Sequence, residues 1–375
     1  MNTPKVAIQN CYSYNQNEVF SCIQTICDES NFPSVQGLKV LVKPNILSDA
    51  KPEACITTNP EVVRAVIKYL KLKGASEIYV GDSPGIQNSN FHAANCGISD
   101  ICQQENVFWC DFIEDPVVKQ IKGTKFKVPL ASIIDKVDII ISVCKFKTHT
   151  LMYTTGATKN LFGLIPSLNK AACHVKCPSR ESFASFIVGL HETVKPDFCI
   201  MDGIIGMEGA GPANGKPRPT NLLMASNNCF AMDYAQAVIM GYQPLDIPIL
   251  YKAKTKHLLP ESIDYPLLRA QDLQIQDFDK IKIQKKTNLL SSLILPFLTR
   301  GLQKRKQRKE VAPKFDNEKC IKCLRCVNIC PAKALNLVKD NEGQHIECNY
   351  NKCIRCYCCH EMCPVNAITV GEKND

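Results

Sequence analysis

Two cysteine runs of identical spacing constrain this chain more than any other feature. Cys320-x2-Cys323-x2-Cys326-x3-Cys330-Pro331 recurs as Cys353-x2-Cys356-x2-Cys359-x3-Cys363-Pro364. Three closely spaced thiolates wrap one corner of an iron–sulfur cube, and the fourth Cys, followed by Pro, is carried by the turn to the other cluster. The spacing therefore predicts two 4Fe–4S clusters. One uses Cys320, Cys323, Cys326 and Cys363. The other uses Cys353, Cys356, Cys359 and Cys330. A pair of zinc clips has no use for a third Cys three residues on, and a disulfide scaffold has no use for this doubled register.

The halves form an internal repeat, with Lys319-Cys320-Ile321-Lys322-Cys323 answered by Lys352-Cys353-Ile354-Arg355-Cys356 33 residues later. Residues 313–371 resemble the bacterial two-cluster ferredoxins. Two further cysteines lie inside the run. Cys358 adjoins Cys359 and competes with it for iron, although the repeat register favours Cys359. Cys348 has no counterpart in the first half and reads as a packing residue.

The remaining twelve of the 22 cysteines are scattered from Cys11 to Cys229 without a Cys-x2-Cys pair. No charged start followed by an apolar run opens the chain, so the expectation is reduced, buried thiols in the cytoplasm. No uninterrupted apolar run approaches the roughly 20 residues that span a bilayer.

The net charge of +9 is concentrated in one place. Residues 1–279 carry 26 basic and 27 acidic residues, residues 313–375 carry 9 and 8, and residues 280–312 carry 10 and 1. The excess describes a connection between two domains, so a nucleic-acid partner is not expected. Within it, Leu289, Leu290, Leu293, Ile294, Leu295, Phe297 and Leu298 precede Lys304-Arg305-Lys306-Gln307-Arg308-Lys309, with Pro296 interrupting the apolar part. Residues 289–309 read as a linker whose apolar part packs on the large domain and whose basic part is solvated, as a peripheral membrane anchor on anionic lipid, or as a docking site for an acidic redox partner protein.

Residues 1–279 alternate β-branched apolar runs with helical patterns, which predicts an α/β domain with a mostly parallel sheet and flanking helices. The small α+β two-cluster ferredoxin domain follows at 313–375. Leu38–Lys43, Glu77–Val80, Val137–Val143, Phe198–Met201 and Leu222–Ala225 read as strands. A helix runs from Pro60 to Gly74, capped by Thr58 or Asn59, with Glu61 in its first turn and Val62, Val63, Val66, Ile67 and Leu70 on one face. A second is expected over Phe230–Met240. Gly203–Gly215 reads as a glycine-rich loop holding Glu208, and Pro212, Pro217 and Pro219 argue against a helix starting after it, as a dinucleotide loop would need.

Polar groups follow these apolar runs at Lys43, Asp82, Lys145, Asp202 and Asn227. In open parallel sheets ligands bind beyond the carboxyl ends of the strands, so these residues are expected to share one crevice. Lys145, Lys147, Lys159 and His149 form a cationic group suited to a carboxylate, phosphate or enolate oxygen. Asp82, Asp202 and Glu208 would position a proton or a metal. His149 and His174 read as proton carriers, metal ligands or plain structural residues, and Cys173-His174-x2-Cys177 imitates half a metal clip.

Residues 38–245 resemble the family called domain of unknown function 362. The marks are Lys43-Pro44-Asn45, Gly81-Asp82-Ser83, Lys145-x-Lys147-Thr148-His149, Lys159-Asn160 with Gly163, and Asp202-Gly203 with Glu208-Gly209. The resemblance implies fusion to a ferredoxin module and leaves the reaction open. Three functions are expected in turn: one-electron transfer, a ferredoxin-coupled oxidoreductase acting on an anionic small molecule in the crevice, and a binding or scaffold protein with structural clusters.

Overall fold

The computed structural model describes residues 3–85, 93–283, 311–340 and 343–372. The expected bridge at 289–309 lies outside the described residues. Strand β1 (Val6–Asn10) opens the chain, followed by helix α1 (Gln16–Glu29), whose first N–H groups are capped by Asn15 Oδ1. Then come β2 (Lys39–Pro44), α2 (Pro60–Leu72), β3 (Glu77–Val80) and the short β4 (Phe108–Trp109). Asn59 caps α2 by accepting the Glu61 N–H, and Pro60 spends no needed donor at the first helical position. Val62, Val63, Val66, Ile67 and Leu70 are buried as the 3.6 period requires, at about 1.5–3 kcal/mol each.

The long β5 (Ile139–His149) is buried along its whole length and turns into β6 (Tyr153–Thr155) and the one-turn helix α3 (Ala157–Asn160). Helices α4 (Asn169–Lys176) and α5 (Arg180–Val194) follow. A long hairpin, β7 (Phe198–Ala210) and β8 (Asn214–Ser226), leads into helix α6 (Cys229–Ile239).

Among the described residues the main sheet has eight strands in the order β1-β8-β7-β5-β2-β3-β4, with β6 paired to the end of β5. The run β7-β5-β2-β3-β4 is parallel; β8 and β1 are antiparallel additions at one edge. One face packs on α1 and α2, and the other packs Leu41 and Ile140 against Phe183, Phe186 and Ile187 of α5. The mostly parallel sheet with flanking helices is as expected from the alternation of patterns.

Three local expectations are corrected. Gly203–Gly215 is not a loop: β7 and β8 run through it as paired strands, because the apolar Ile204, Ile205 and Met207 between the glycines keep the ladder going. Lys145–His149 does not follow a strand; it is strand, and Lys145, Lys147 and His149 share one face by the two-residue period. Asn227 does not reach the crevice. Its strand is antiparallel, and Ser226 pairs with Cys199 at the start of β7, so Asn227 lies at the opposite edge.

In the C-terminal domain, β9 (Val311–Phe315) pairs with β12 (Ile368–Glu372) and β10 (Leu335–Asp340) with β11 (Gly343–Cys348). Short helices α7 (Arg325–Ile329) and α8 (Cys358–Glu361) lie one in each half and pack on each other. This is the small domain of short strands that the repeat predicts. It docks on the large one. Tyr357 joins the large domain's apolar core. His360 faces Ala210 O at 3.2 Å through Nε2, and Asn214 Nδ2 donates to His360 O at 2.8 Å.

Candidate functional site

The cysteines form two sets. One cavity is lined by Cys320, Cys323, Cys326 and Cys363. Another is lined by Cys330, Cys353, Cys356 and Cys359. The fourth cysteine of each motif has crossed to the other set. Six non-glycine residues with positive φ shape these loops: Lys322 (54°), Leu324 (60°) and Lys333 (49°), repeated at Arg355 (56°), Tyr357 (63°) and Asn366 (53°). Such backbone costs on the order of 1–3 kcal/mol per residue and persists where the surroundings impose it. It turns amides toward sulfur. Ala334 N donates to Cys330 Sγ at 3.2 Å, and Ala367 N donates to Cys363 Sγ at 3.2 Å, 33 residues apart in the repeat. Lys322 N donates to Cys320 Sγ at 3.4 Å.

Four sulfurs around each space, with amides donating to them, fit an iron–sulfur cluster. Among the described residues, no group of three or more His, Cys, Asp or Glu side chains is arranged to hold a single metal ion. Cys173 and Cys177 are packed in the apolar core, so the expected half-clip is a structural feature.

The polar strand ends do converge, and most of them pair with one another. Lys43 Nζ and Asp82 Oδ1 are 2.8 Å apart with side chains 0% and 2% exposed. Asp82 also accepts the Ile46 and Ser83 N–H groups. Lys145 Nζ and Asp202 Oδ2 are 2.7 Å apart, and Asp202 further accepts Tyr14 Oη–H and the Asn59 N–H at the start of α2. Both carboxylates are saturated and tie loops together, which is a structural task. Gly163 is required beside the first pair, because a Cβ there would overlap Asp82 Oδ1 and crowd Lys43 Nζ.

Lys147 is fully buried, donates to Ile56 O at 2.6 Å, and has its pKa pushed down to about 7 by burial, with Lys159 adding to the fall. Burial likewise lowers Lys159, whose Nζ lies 5.8 Å from the Phe162 ring centroid. His149 accepts the Leu151 and Met152 N–H groups at Nδ1, at 3.1 and 3.3 Å, so its proton sits on Nε2. Burial and the neighbouring Lys159 and Lys147 push its pKa well below the usual value, which leaves it neutral.

A cavity of about 80 Å³ lies over these groups. The large domain contributes Asp82, Ser83, His149, Lys159, Lys170 and His174, and the small domain contributes Ile329, Cys358, Glu361 and Met362. Lys147 lies behind it without lining it. Glu208 is elsewhere: it accepts the Asp279 N–H at 3.1 Å and faces Arg218 on the outer hairpin. His174 stacks on Phe183 at 4.3 Å, and burial pushes its pKa to about 3, so it serves as a neutral ring in the wall.

Sequence reasoning missed Lys170 and Glu361. Lys170 has its pKa lowered to about 7 by burial, and its amine donates to Ile165 O. Glu361 sits between Cys359 and Cys363, where it reads as a turn residue, and only domain docking places its carboxylate 3.5 Å from His149 Nε2.

A wider cleft of about 1040 Å³, sharing Leu47, Pro84, Glu361 and Met362 with the cavity, runs along the same domain boundary.

Among known proteins, residues 40–238 match the family described as a domain of unknown function (DUF362), and residues 312–364 match the 4Fe-4S dicluster domain. The latter supports an iron–sulfur electron-transfer role. A thylakoid-associated protein of Synechocystis sp. is 28% identical over 288 residues, covering 73% of this chain and 86% of that one. The lactate racemase apoprotein from Thermoanaerobacterium thermosaccharolyticum aligns at 11% identity and a TM-score of 0.37, over 52% of this chain and 50% of its own. A protein from Thermotoga maritima aligns at 12% identity and 0.37, over 56% and 55%. The chain thus spans about half the length of these two structures. Among the described residues no helix is long and apolar enough to cross a membrane.

Proposed function

Because the chain belongs to the family of domain of unknown function 362 and carries a 4Fe-4S dicluster domain, we propose that it is an oxidoreductase-type electron-transfer protein holding two 4Fe–4S clusters. We assign its cavity to a small anion. The observation that carries the reading is the joint wall: Lys159, Lys170 and His149 from one domain face Cys358, Glu361 and Met362 from the other. Cys320, Cys323, Cys326 and Cys363 would hold one cluster, and Cys353, Cys356, Cys359 and Cys330 the other. A bound cluster supplies one-electron transfer at a potential set by its hydrogen bonds and exposure.

The residues around the cavity do the rest. Lys159 and Lys170 offer N–H donors to a phosphate or carboxylate, in a site where burial strengthens each contact. His149 presents Nε2–H and Glu361 a carboxylate, so a proton can be held at the ligand. Lys43–Asp82 and Lys145–Asp202 fix the loops that carry these groups. This role replaces the expected catalytic one for Asp82, Lys145 and Asp202. Glu208 has no part in it.

A redox partner protein would supply electrons. Because the Synechocystis relative is thylakoid-associated, we extend the reading to a cytoplasmic protein touching membrane surfaces through its basic segment 289–309. Anaerobic purification, iron and sulfide quantification and mass analysis of co-purified small molecules test the proposal. About eight irons per chain and a bound anion are expected. Zinc in place of iron would overturn it.

A further inference from the structure

One buried group at the cavity has no partner. Thr155 ends strand β6 and is 2% exposed, and its hydroxyl meets no hydrogen-bonding atom among the described residues. It lines the cavity together with Lys159 and Lys170. A buried hydroxyl left unpaired is costly, so a ligand that supplies an acceptor oxygen there is favoured. The cavity is also small. At about 80 Å³ it falls short of the roughly 150 Å³ that accepts a benzene ring. It has room for a terminal acid group and little more.

The cavity continues into a larger space of different character. Leu47, Pro84, Glu361 and Met362 belong both to its wall and to the wall of the cleft of about 1040 Å³. Beyond these four, Ala50, Ala54, Ile56 and Leu168 make much of the cleft apolar, and Leu168 is 58% exposed there. The charged residues of that wall are Asp49, Arg325 and Glu361. Asp49 is already engaged by Asn95 Nδ2 at 3.0 Å and the Cys96 N–H at 2.9 Å. Cationic donors thus sit at the closed end and apolar surface at the open end.

We propose that cavity and cleft form one site for an amphipathic acid, a small molecule with a terminal carboxylate or phosphate and an apolar body. This deepens the reading of the cavity as an anion site and rests on it. The acid group lies in the cavity, where Lys159, Lys170 and the Thr155 hydroxyl offer donors. The body passes Leu47 and Met362 and lies along Ile56 and Leu168 in the cleft. Burial strengthens the charged contacts at one end. Removal of apolar surface from water adds affinity at the other. Neither a bare anion nor a neutral apolar molecule uses the whole site.

The test is calorimetric titration of the full-length, anaerobically purified protein with acetate, octanoate, 1-octanol and inorganic phosphate. A methylene wholly buried is worth about fourfold in affinity, so the six that octanoate adds, partly buried, should make it at least about tenfold tighter than acetate. Phosphate is expected to compete with octanoate, and 1-octanol to bind far more weakly than either acid of its length. Lys170→Met is expected to weaken acetate, phosphate and octanoate alike. Leu168→Asp, and Ala213→Asp in the turn between β7 and β8 on the cleft wall, are each expected to bring octanoate close to acetate. Equal affinity for acetate and octanoate in the parent overturns the amphipathic assignment and leaves the anion cavity standing. Octanoate that phosphate does not displace, or that 1-octanol matches, overturns it by making the cleft a separate apolar site. An octanoate preference unchanged in whichever of the two cleft variants folds overturns the placing of the body. Absence of binding by acetate, phosphate and octanoate refutes the anion cavity itself, and this extension falls with it.

Discussion

Glu361 Oε1 lies 3.5 Å from His149 Nε2, across the boundary between the two domains. The carboxylate also acts on Lys159 and Lys147, whose positive charges lower its pKa against the larger upward push of burial. It occupies the place that an external anion would take beside Lys159 in the cavity wall. Glu361→Gln keeps the shape and removes the charge. Phosphate is expected to bind the variant about tenfold more tightly, or ~1.4 kcal/mol. Calorimetric titration checks this, and weaker binding would mean that Glu361 is part of the anion's own hydrogen-bond set.

Anion binding should weaken as pH rises through about 7. Lys170 in the cavity wall and Lys147 behind it are both held near 7 by burial, so raising the pH removes their charges, and the anion loses its contact with a charged Lys170. Stability of the ligand-free protein should move the opposite way. The folded pKa lies below the unfolded value of 10.5, so the unfolded chain binds more protons between about pH 7 and 10, and stability rises with pH across that window. Thermal melts with and without phosphate from pH 6 to 9 would show the two trends crossing. Parallel trends would remove Lys170 from the anion site.

Lys145 and Asp202 were legible as polar residues at strand ends, and their partnership was not. The sequence places Lys145 after a strand of β-branched residues but does not say that the strand continues to His149. Continuation puts Lys145 level with Asp202 across a parallel ladder, and the pair closes on itself. Lys145→Met would leave Asp202 charged and buried, at a cost of about 3–5 kcal/mol. Lys145→Met/Asp202→Asn should recover most of that. Urea denaturation of single and double variants checks it; additive losses would show that the two groups do not depend on each other.

What could be read from sequence was whatever rests on local spacing: the cysteine register, the α2 cap at Asn59, the apolar face of that helix, and the parallel sheet. What could not be read depends on two remote segments meeting. Glu208 looked like a site residue because it follows glycines near Asp202. The hairpin ladder carries it outward to Arg218 and Asp279. Glu361 looked like a turn residue because its partners lie some 200 positions away in the chain. Lys147 read as part of the cationic group facing the crevice and is instead fully buried behind the cavity wall, since strand β5 is covered on both faces.

The basic connection provides a prediction from charge alone. Segment 280–312 carries ten basic residues and one acidic one. At low salt the protein is expected to sediment with vesicles containing phosphatidylserine, and binding should fall as ionic strength shortens the Debye length from about 30 Å at 0.01 M to about 10 Å at 0.1 M. Neutralising Lys304, Arg305, Lys306, Arg308 and Lys309 together should abolish it. Absence of sedimentation at 0.01 M salt would leave a plain linker.

Crossed ligation makes an unusual demand on single substitutions. Cys330 belongs by sequence to the first motif but lines the cavity of Cys353, Cys356 and Cys359. Cys363 belongs to the second motif but lines the cavity of Cys320, Cys323 and Cys326. Cys330→Ser should therefore damage the cluster of the second motif, and Cys363→Ser that of the first. A serine oxygen is a harder ligand than thiolate, so each variant should lose up to half of its iron or show one altered EPR signal. The two variants should differ in which signal survives. Cys358 adjoins Cys359 in the chain as a spare thiol, so Cys330→Ser should retain more iron than Cys363→Ser, because Cys320, Cys323 and Cys326 have no adjoining spare cysteine in the sequence. Iron and sulfide assays on both variants decide the point. If Cys330→Ser silences the signal that depends on Cys320, the two motifs bind their own clusters and the crossing is wrong.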